Sequence, residues 1–430
     1  MFDLVLRGAN LPSGESGIDI GVRDGRIAAM EHGLGGEARQ EIDATGRLVT
    51  PPFVDPHFHM DATLSLGLPR LNRSGTLLEG IALWGELRGV LTVDAVVERA
   101  LRYCDLAVSQ GLLAIRSHVD VSDPRLITVE GLLEVRERVR PYLDLQLVAF
   151  PQDGYLRHPD AARALERALD MGLDVVGGIP HFERTMEDGA RSVAQLCRIA
   201  AERGLMVDMH CDETDDPLSR HVETLAAETV RHGLEGRVAG SHLTSMHSMD
   251  NYYVSKLIPL IAEAGLHAIP NPLINITLQG RHDTYPKRRG MTRVPELMAA
   301  GINVAFGHDC VMDPWYAMGS GDMLEVGHMA VHVAQMTSVA AKRQVFDALT
   351  VNSARVMGLE GYGLEVGCHA DMVVLQARDP LEALRLKPPR LFVIRRGELI
   401  ARTPPRTTTL SLEGRPASVD GSEYAPPSVN

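Results

Sequence analysis

A chain of 430 residues with 45% hydrophobic content and a formal net charge of −13 has room for one barrel-sized domain and a smaller one. Its negative charge argues against a nucleic-acid backbone or an anionic membrane surface as partner. The five cysteines are scattered and form no C-x-x-C pair, which excludes a disulfide framework and a cysteine zinc knuckle and fits a reducing cytoplasm.

The opening stretch, Met1-Phe2-Asp3-Leu4-Val5-Leu6-Arg7, has an early acid and no long apolar core, so no signal peptide is expected. No run is apolar and long enough to span a bilayer. Phe2 to Leu6 and Gly17 to Val22 alternate as strands do, and Arg23-Asp24-Gly25-Arg26 is a hairpin signal. Near the other end, Asp371 to Leu375 and Leu391 to Ile394 are also strand-like. Both chain ends therefore read as parts of one small β-sandwich domain, residues 1–50 and 364–430. Its last stretch, from Pro416 to Asn430, is polar and proline-bearing and reads as a loose arm.

Between these ends, residues 51–363 alternate short apolar strands with helical patterns, the mark of repeated βα units. Strands are predicted ahead of His57 and near Leu113–Ile115, Leu145–Ala149, Asp174–Gly177, Met206–Met209, Val238–Gly240, His267–Ile269 and Val304–Phe306. That number suits a TIM-like (β/α)8 barrel, an α/β fold whose chemistry sits at the C-terminal strand ends. Pro159–Asp170 and Ser192–Glu202 carry apolar residues at helical spacing. Asp61–Leu91, rich in glycine and proline, is a long insertion placed to cover the barrel mouth as a lid.

The strand ends carry a matching set of side chains. In Asp55-Pro56-His57-Phe58-His59 the two imidazoles are two residues apart, so an extended backbone turns both the same way. His210 ends Met206–Met209, His242 follows Val238–Gly240, and Asp309 follows Val304–Phe306 and Gly307. Three ring nitrogens and a carboxylate around one divalent cation suit zinc or iron(II) and leave room for water. His242 either joins the ligands or works on the water. Glu213, three residues past His210, is near enough to serve a substrate. His118, His181, His247 and His328 read better as structural histidines.

The H-x-H pattern followed by His, His and Asp at later strand ends resembles the amidohydrolase superfamily. Within it, several stretches resemble the bacterial cytosine deaminases: Gln146 to Gln152, Ile179 to Glu183, His210 to Glu213, Ser241 to Ser248, Leu278 to Gly290, Phe306 to Asp309 and Asp313 to Tyr316. The resemblance implies one divalent metal ion, zinc or iron(II), held by His57, His59, His210 and Asp309, with His242 beside the metal-bound water. It makes Glu213 the proton shuttle to the pyrimidine ring nitrogen, and Glu213, His242 and Asp309 the catalytic set. It gives Gln152 the amide edge of the ring and Phe150, Leu77 and Trp315 the apolar walls. The implied reaction is attack of hydroxide on C4, protonation of N3, and loss of ammonia. A homo-oligomer acting on a small free base in the cytoplasm is the matching expectation.

One position departs from the pattern. The cytosine deaminases carry two adjacent aspartates after Gly-His, and here the second is Cys310. In that family the second carboxylate lies at the C5 edge of the ring. A small thiol there removes the desolvation cost that a carboxylate imposes on a neighbouring methyl group. The expected substrates are therefore 5-methylcytosine, giving thymine, and cytosine, giving uracil. A deaminase of isoguanine or creatinine on the same scaffold is the alternative. A dihydropyrimidinase is disfavoured because the fourth strand ends in Gly177-Gly178-Ile179-Pro180-His181, without the lysine that bridges two metals. The zinc cytidine-deaminase fold is excluded because no P-C-x-x-C exists. A metal-bearing binding protein without catalysis would have little use for Glu213 and His242.

Overall fold

The computed structural model describes residues 1–421. Strands β1 (Phe2–Ala9), β2 (Ile18–Arg23), β3 (Arg26–Glu31) and β4 (Ala38–Asp43) form a sheet in the order β3-β2-β1-β4. The hairpin between β2 and β3 turns on Asp24 and Gly25, whose φ values of 51° and 70° give the double left-handed turn that matches strand twist.

After β5 (Leu48–Thr50) come seven parallel strands: β6 (Phe53–Phe58), β7 (Leu112–Asp120), β8 (Asp144–Phe150), β9 (Val175–Gly178), β10 (Met206–Cys211), β11 (Val238–His242) and β12 (His267–Ile269). Helices alternate with them, including Ala161–Asp170 and Met186–Arg203, where helical spacing was predicted. The expected eighth strand is irregular. Val304 makes a single parallel bridge to Ala268, and Asp309 makes one to Phe58. Ala305 N–H donates to Ala268 at 3.0 Å, and His59 N–H to the Asp309 carbonyl at 2.9 Å. Past β12 the ladder continues on one side only: the Pro270 carbonyl accepts from Gly307 N–H at 3.3 Å, but Pro270 has no N–H to donate in return. The segment still closes the TIM-like barrel between its first and last strands.

Strands β13 (Met372–Leu375), β14 (Arg390–Arg395) and β15 (Glu398–Arg402) join β5 in a second sheet, ordered β15-β14-β13-β5. Leu4, Leu6, Ile20 and Val22 of the first sheet and Val49, Met372, Val374 and Ile394 of the second share one apolar cluster, as two sheets packed face to face do. The predicted loose arm is partly ordered. Ser418 and Val419 pair with Thr409 and Thr408. Gln376 holds this piece down, donating to Asp420 at 2.7 Å and to the Arg406 carbonyl at 3.0 Å. The remainder of that arm, residues 422–430, lies outside the described residues.

The Asp61–Leu91 insertion contains helix α1 (Leu77–Arg88), whose cap is the Thr76 hydroxyl accepting from Glu79 N–H at 3.3 Å. Two side chains pin this helix to β7. Trp84 Nε1–H donates to Asp120 at 2.7 Å, and Arg88 bridges Asp120 and Asp153 at 2.6 Å each. Among the described residues, no helix is long and apolar enough to cross a membrane.

Candidate active site

β6 ends as the alternation requires, with His57 and His59 turned toward the C-terminal mouth. They differ in depth: His57 is fully buried, whereas His59 lines a cavity of about 200 Å3 at that mouth. Asp55, two residues before His57, accepts N–H bonds from His57 at 3.2 Å and His308 at 3.0 Å, joining β6 to the closing segment. Burial pushes the Asp55 carboxyl up to about 7.

The four residues expected as metal ligands converge. Asp309 Oδ1 lies 3.6 Å from His57 Nε2 and 3.5 Å from His59 Nε2. His59 Nε2 and His210 Nε2 face each other at 2.9 Å. Two donors bound to one tetrahedral ion at ~2.0–2.1 Å stand roughly 3.3 Å apart, so these separations suit a shared cation. His57 Nε2 and Asp309 Oδ2 are buried without a hydrogen-bond partner among the described residues. Atoms orphaned in that way are what a cation would satisfy. The donor set therefore fits a divalent metal ion.

The local electrostatics of His59, His210 and Asp309 point the same way. Burial drives His59 down to about 4 and His210 well below the imidazole range, so both are neutral donors. For Asp309, burial opposes ionisation, but His57, His242 and His59 outweigh it and hold the carboxyl below its ordinary range. The His57 ring is raised: burial lowers it, and Asp309, Asp208 and Asp55 together prevail. Asp309 and His242 both take left-handed backbone, with φ of 72° and 68°, conformations that non-glycine residues adopt at a cost of order ~1–3 kcal/mol and that cluster at functional sites.

His242 stands between two carboxylates. Its Nε2 is 3.7 Å from Asp309 Oδ2, and its Nδ1 is 3.7 Å from Glu213 Oε1. Asn275 Nδ2 lies 3.0 Å from the same Nδ1. Burial pushes Glu213 well above the carboxylate range, and the nearby Asp309 charge adds to it. Gln152, Leu77, Cys310 and Trp315 all line the cavity with Glu213 and His242. Cys310 is buried, and burial pushes its thiol up, so it presents a neutral sulfur.

Phe150 is not on that wall. It lies behind it, stacked on the His210 ring with centroids 4.2 Å apart at 18°. Two histidines read as structural are closer to the chemistry than expected. His181 lines the cavity, its Nδ1 3.1 Å from the His210 carbonyl. His118 packs beneath the cluster, 4.2 Å from the His57 ring and 4.5 Å from His210. The signal for both was available: each lies near the end of a predicted strand. His247 and His328 lie apart from the cavity.

The Amidohydrolase family model matches residues 40–411. The chain belongs to the amidohydrolase family. Among relatives, this amidohydrolase is 30% identical to N-isopropylammelide isopropyl amidohydrolase from Pseudomonas sp. (strain ADP), covering 93% of this chain and 98% of that one. It is 30% identical to pterin deaminase from Rhizobium rhizogenes, covering 90% and 88%. The solved structure of 5-methylcytosine deaminase from Klebsiella pneumoniae liganded with 5-fluorocytosine is 41% identical, with a TM-score of 0.91 over 94% of this chain and 98% of that one. These likenesses make the chain a hydrolase acting on C–N bonds, and its His/Asp cluster points to a divalent metal ion.

Proposed function

We propose that this amidohydrolase deaminates a free pyrimidine base, converting 5-methylcytosine to thymine and cytosine to uracil with release of ammonia. The observation that carries the reading is the convergence of Glu213, His242 and Asp309 on one small cavity shared with His59, His210, Gln152 and Cys310. At about 200 Å3 it is smaller than the ~300–1,000 Å3 typical of drug-sized ligands, which favours a single ring. Likeness to the 5-methylcytosine deaminase supports the choice of ring.

A divalent ion, zinc or iron(II), held by His57, His59, His210 and Asp309 would supply the Lewis acidity that makes water a nucleophile near neutral pH. The side chains do the rest. Gln152 bonds the 2-oxo group and neighbouring N–H, which sets the ring in register. Glu213 is protonated in its buried seat and delivers that proton to N3 as the C4–O bond forms. Asp309 or His242 takes the remaining hydroxyl proton. That hydroxyl proton passes on through His242, which lies 3.7 Å from both Asp309 and Glu213, to the emptied Glu213 and then to the amine, and the C4–N bond breaks with loss of ammonia. Leu77 and Trp315 are apolar walls that exclude water from the ring, and Cys310, lining the same cavity, receives the C5 substituent. Phe150 contributes by fixing the His210 ring from behind.

The test is kcat/KM for ammonia release from cytosine, 5-methylcytosine and isoguanine, compared side by side with zinc or iron(II) supplied. Preference for 5-methylcytosine supports the whole reading. Preference for isoguanine would replace the pyrimidine with a larger ring, and no turnover of any of the three would overturn deamination of these bases.

A further inference from the structure

Gly80 is the fourth residue of α1, inside a helix, where glycine is among the poorest formers. The space beside it explains its presence. A Cβ built there would sit 2.4 Å from Trp315 Cδ1, 2.8 Å from Nε1 and 3.0 Å from Cγ. Gly85, five residues on in the same helix, has nothing within 4 Å of its equivalent position. One glycine of α1 is therefore the seat of an indole and the other is not.

Neither side of the Gly80–Trp315 contact has slack. The helix is tied to the barrel through Trp84 and Arg88 on Asp120. The backbone of Trp315 is tied by Asp313 Oδ1, which accepts the N–H groups of Trp315 and Tyr316 at 2.9 Å each. Asn72 Nδ2 also donates to the Pro314 carbonyl at 3.0 Å, which links the two segments directly. An atom added at Gly80 collides with the indole itself, and the open space beside that indole is the cavity it lines together with Cys310.

We infer that Gly80 sets how far the Trp315 indole recedes from the cavity, and so determines the size of ring substituent the site accepts. Gly80 is thus a specificity-determining position that acts through Trp315. The inference rests on the pyrimidine reading above, and it gives the C5 pocket two walls: Cys310 removes a polar obstacle, and Gly80 gives the indole room to stand back.

The experiment compares Gly80→Ala with Gly85→Ala in the metal-loaded enzyme. Gly80→Ala is expected to lower kcat/KM for 5-methylcytosine at least 10-fold relative to cytosine, mostly through KM, whereas Gly85→Ala keeps the parent's ratio. A readout independent of turnover comes from 5-fluorotryptophan labelling, since the chain has only two tryptophans. The 19F resonance of Trp315, assigned with Trp315→Phe, should move in Gly80→Ala and stay in Gly85→Ala. Where Gly80→Ala alone does not fold, the Gly80→Ala/Trp315→Phe pair should restore folding by shrinking the ring. An unchanged substrate ratio in an active Gly80→Ala enzyme overturns the inference and leaves the pyrimidine reading standing, as does an unmoved Trp315 resonance. Absence of pyrimidine turnover in the parent overturns both.

Discussion

The Ser241 hydroxyl lies 2.9 Å from His57 Nδ1. Ser241 has one proton, and it is committed to Asp208 Oδ1 at 2.6 Å. The hydroxyl oxygen must therefore accept from His57 Nδ1–H, which leaves Nε2, facing Asp309 at 3.6 Å, as the nitrogen that can give up its proton to a cation. Asp208 is itself held by Arg116 at 3.1 Å, and both are fully buried. A serine on β11 thus selects the tautomer of a histidine on β6, which is how carboxylate and hydroxyl partners tune metal ligands. Ser241→Ala should weaken metal binding about 10–100-fold, measured by competition with a chelator, while leaving the fold intact by circular dichroism. Unchanged affinity would show that packing alone orients the His57 ring.

Glu213 is the buried acid of the cavity, pushed up by burial and then by the Asp309 charge. In the free enzyme it holds its proton through the range where an ordinary glutamic acid has lost it. Glu213→Gln keeps the shape and removes the proton. We expect kcat to fall about 10²–10⁴-fold, the usual contribution of a positioned acid–base group, with metal content unchanged. The alkaline limb of the parent's kcat/KM profile should lie well above the ordinary carboxylate range, because rising pH removes the proton that N3 needs. A profile falling in the ordinary carboxylate range would assign the proton transfer elsewhere.

Cys310 supplies the third prediction. It lines the cavity as a neutral thiol, its Sγ 3.6 Å from Asp309 Oδ1. Cys310→Asp places a second charged, hydrated group at that wall. A methyl group in a fitted pocket is worth roughly 1–3 kcal/mol, or ~10–200-fold in discrimination. Activity on 5-methylcytosine should fall by that order while activity on cytosine is retained. Equal losses on both substrates would assign Cys310 to packing instead of specificity.

The residues that could be read from sequence are those whose chemistry is local. His57, His59, His210, His242 and Asp309 each lie within a few residues of the end of a predicted strand, and the barrel brings strand ends together wherever the runs are counted correctly. What could not be read depends on contacts between distant segments. The irregular closing segment follows from Pro270, whose missing N–H matters only once His267–Ile269 lies beside Val304. Phe150 sits one position beyond a correctly placed strand, yet its side chain turns behind His210 and not into the cavity. The value of Gly80 is invisible until Trp315, more than two hundred residues later, is packed against it.

Asp313 makes the stability of the fold depend on pH. Its carboxyl is buried, and burial pushes it up to about 7 despite the N–H groups of Trp315 and Tyr316 that it accepts. An unfolded aspartate titrates at ~3.9, so between about pH 4 and 7 the folded protein holds a proton that the unfolded chain has released. Stability from this group is therefore fully present below pH 4 and is lost as pH rises toward 7. Asp313→Asn keeps an oxygen for both backbone N–H groups and removes the titration. The Tm of the variant relative to the parent should rise between pH 5 and pH 8. A constant difference across that range would mean that Asp313 stays ionised in the folded state, held by its two backbone donors against the cost of burial.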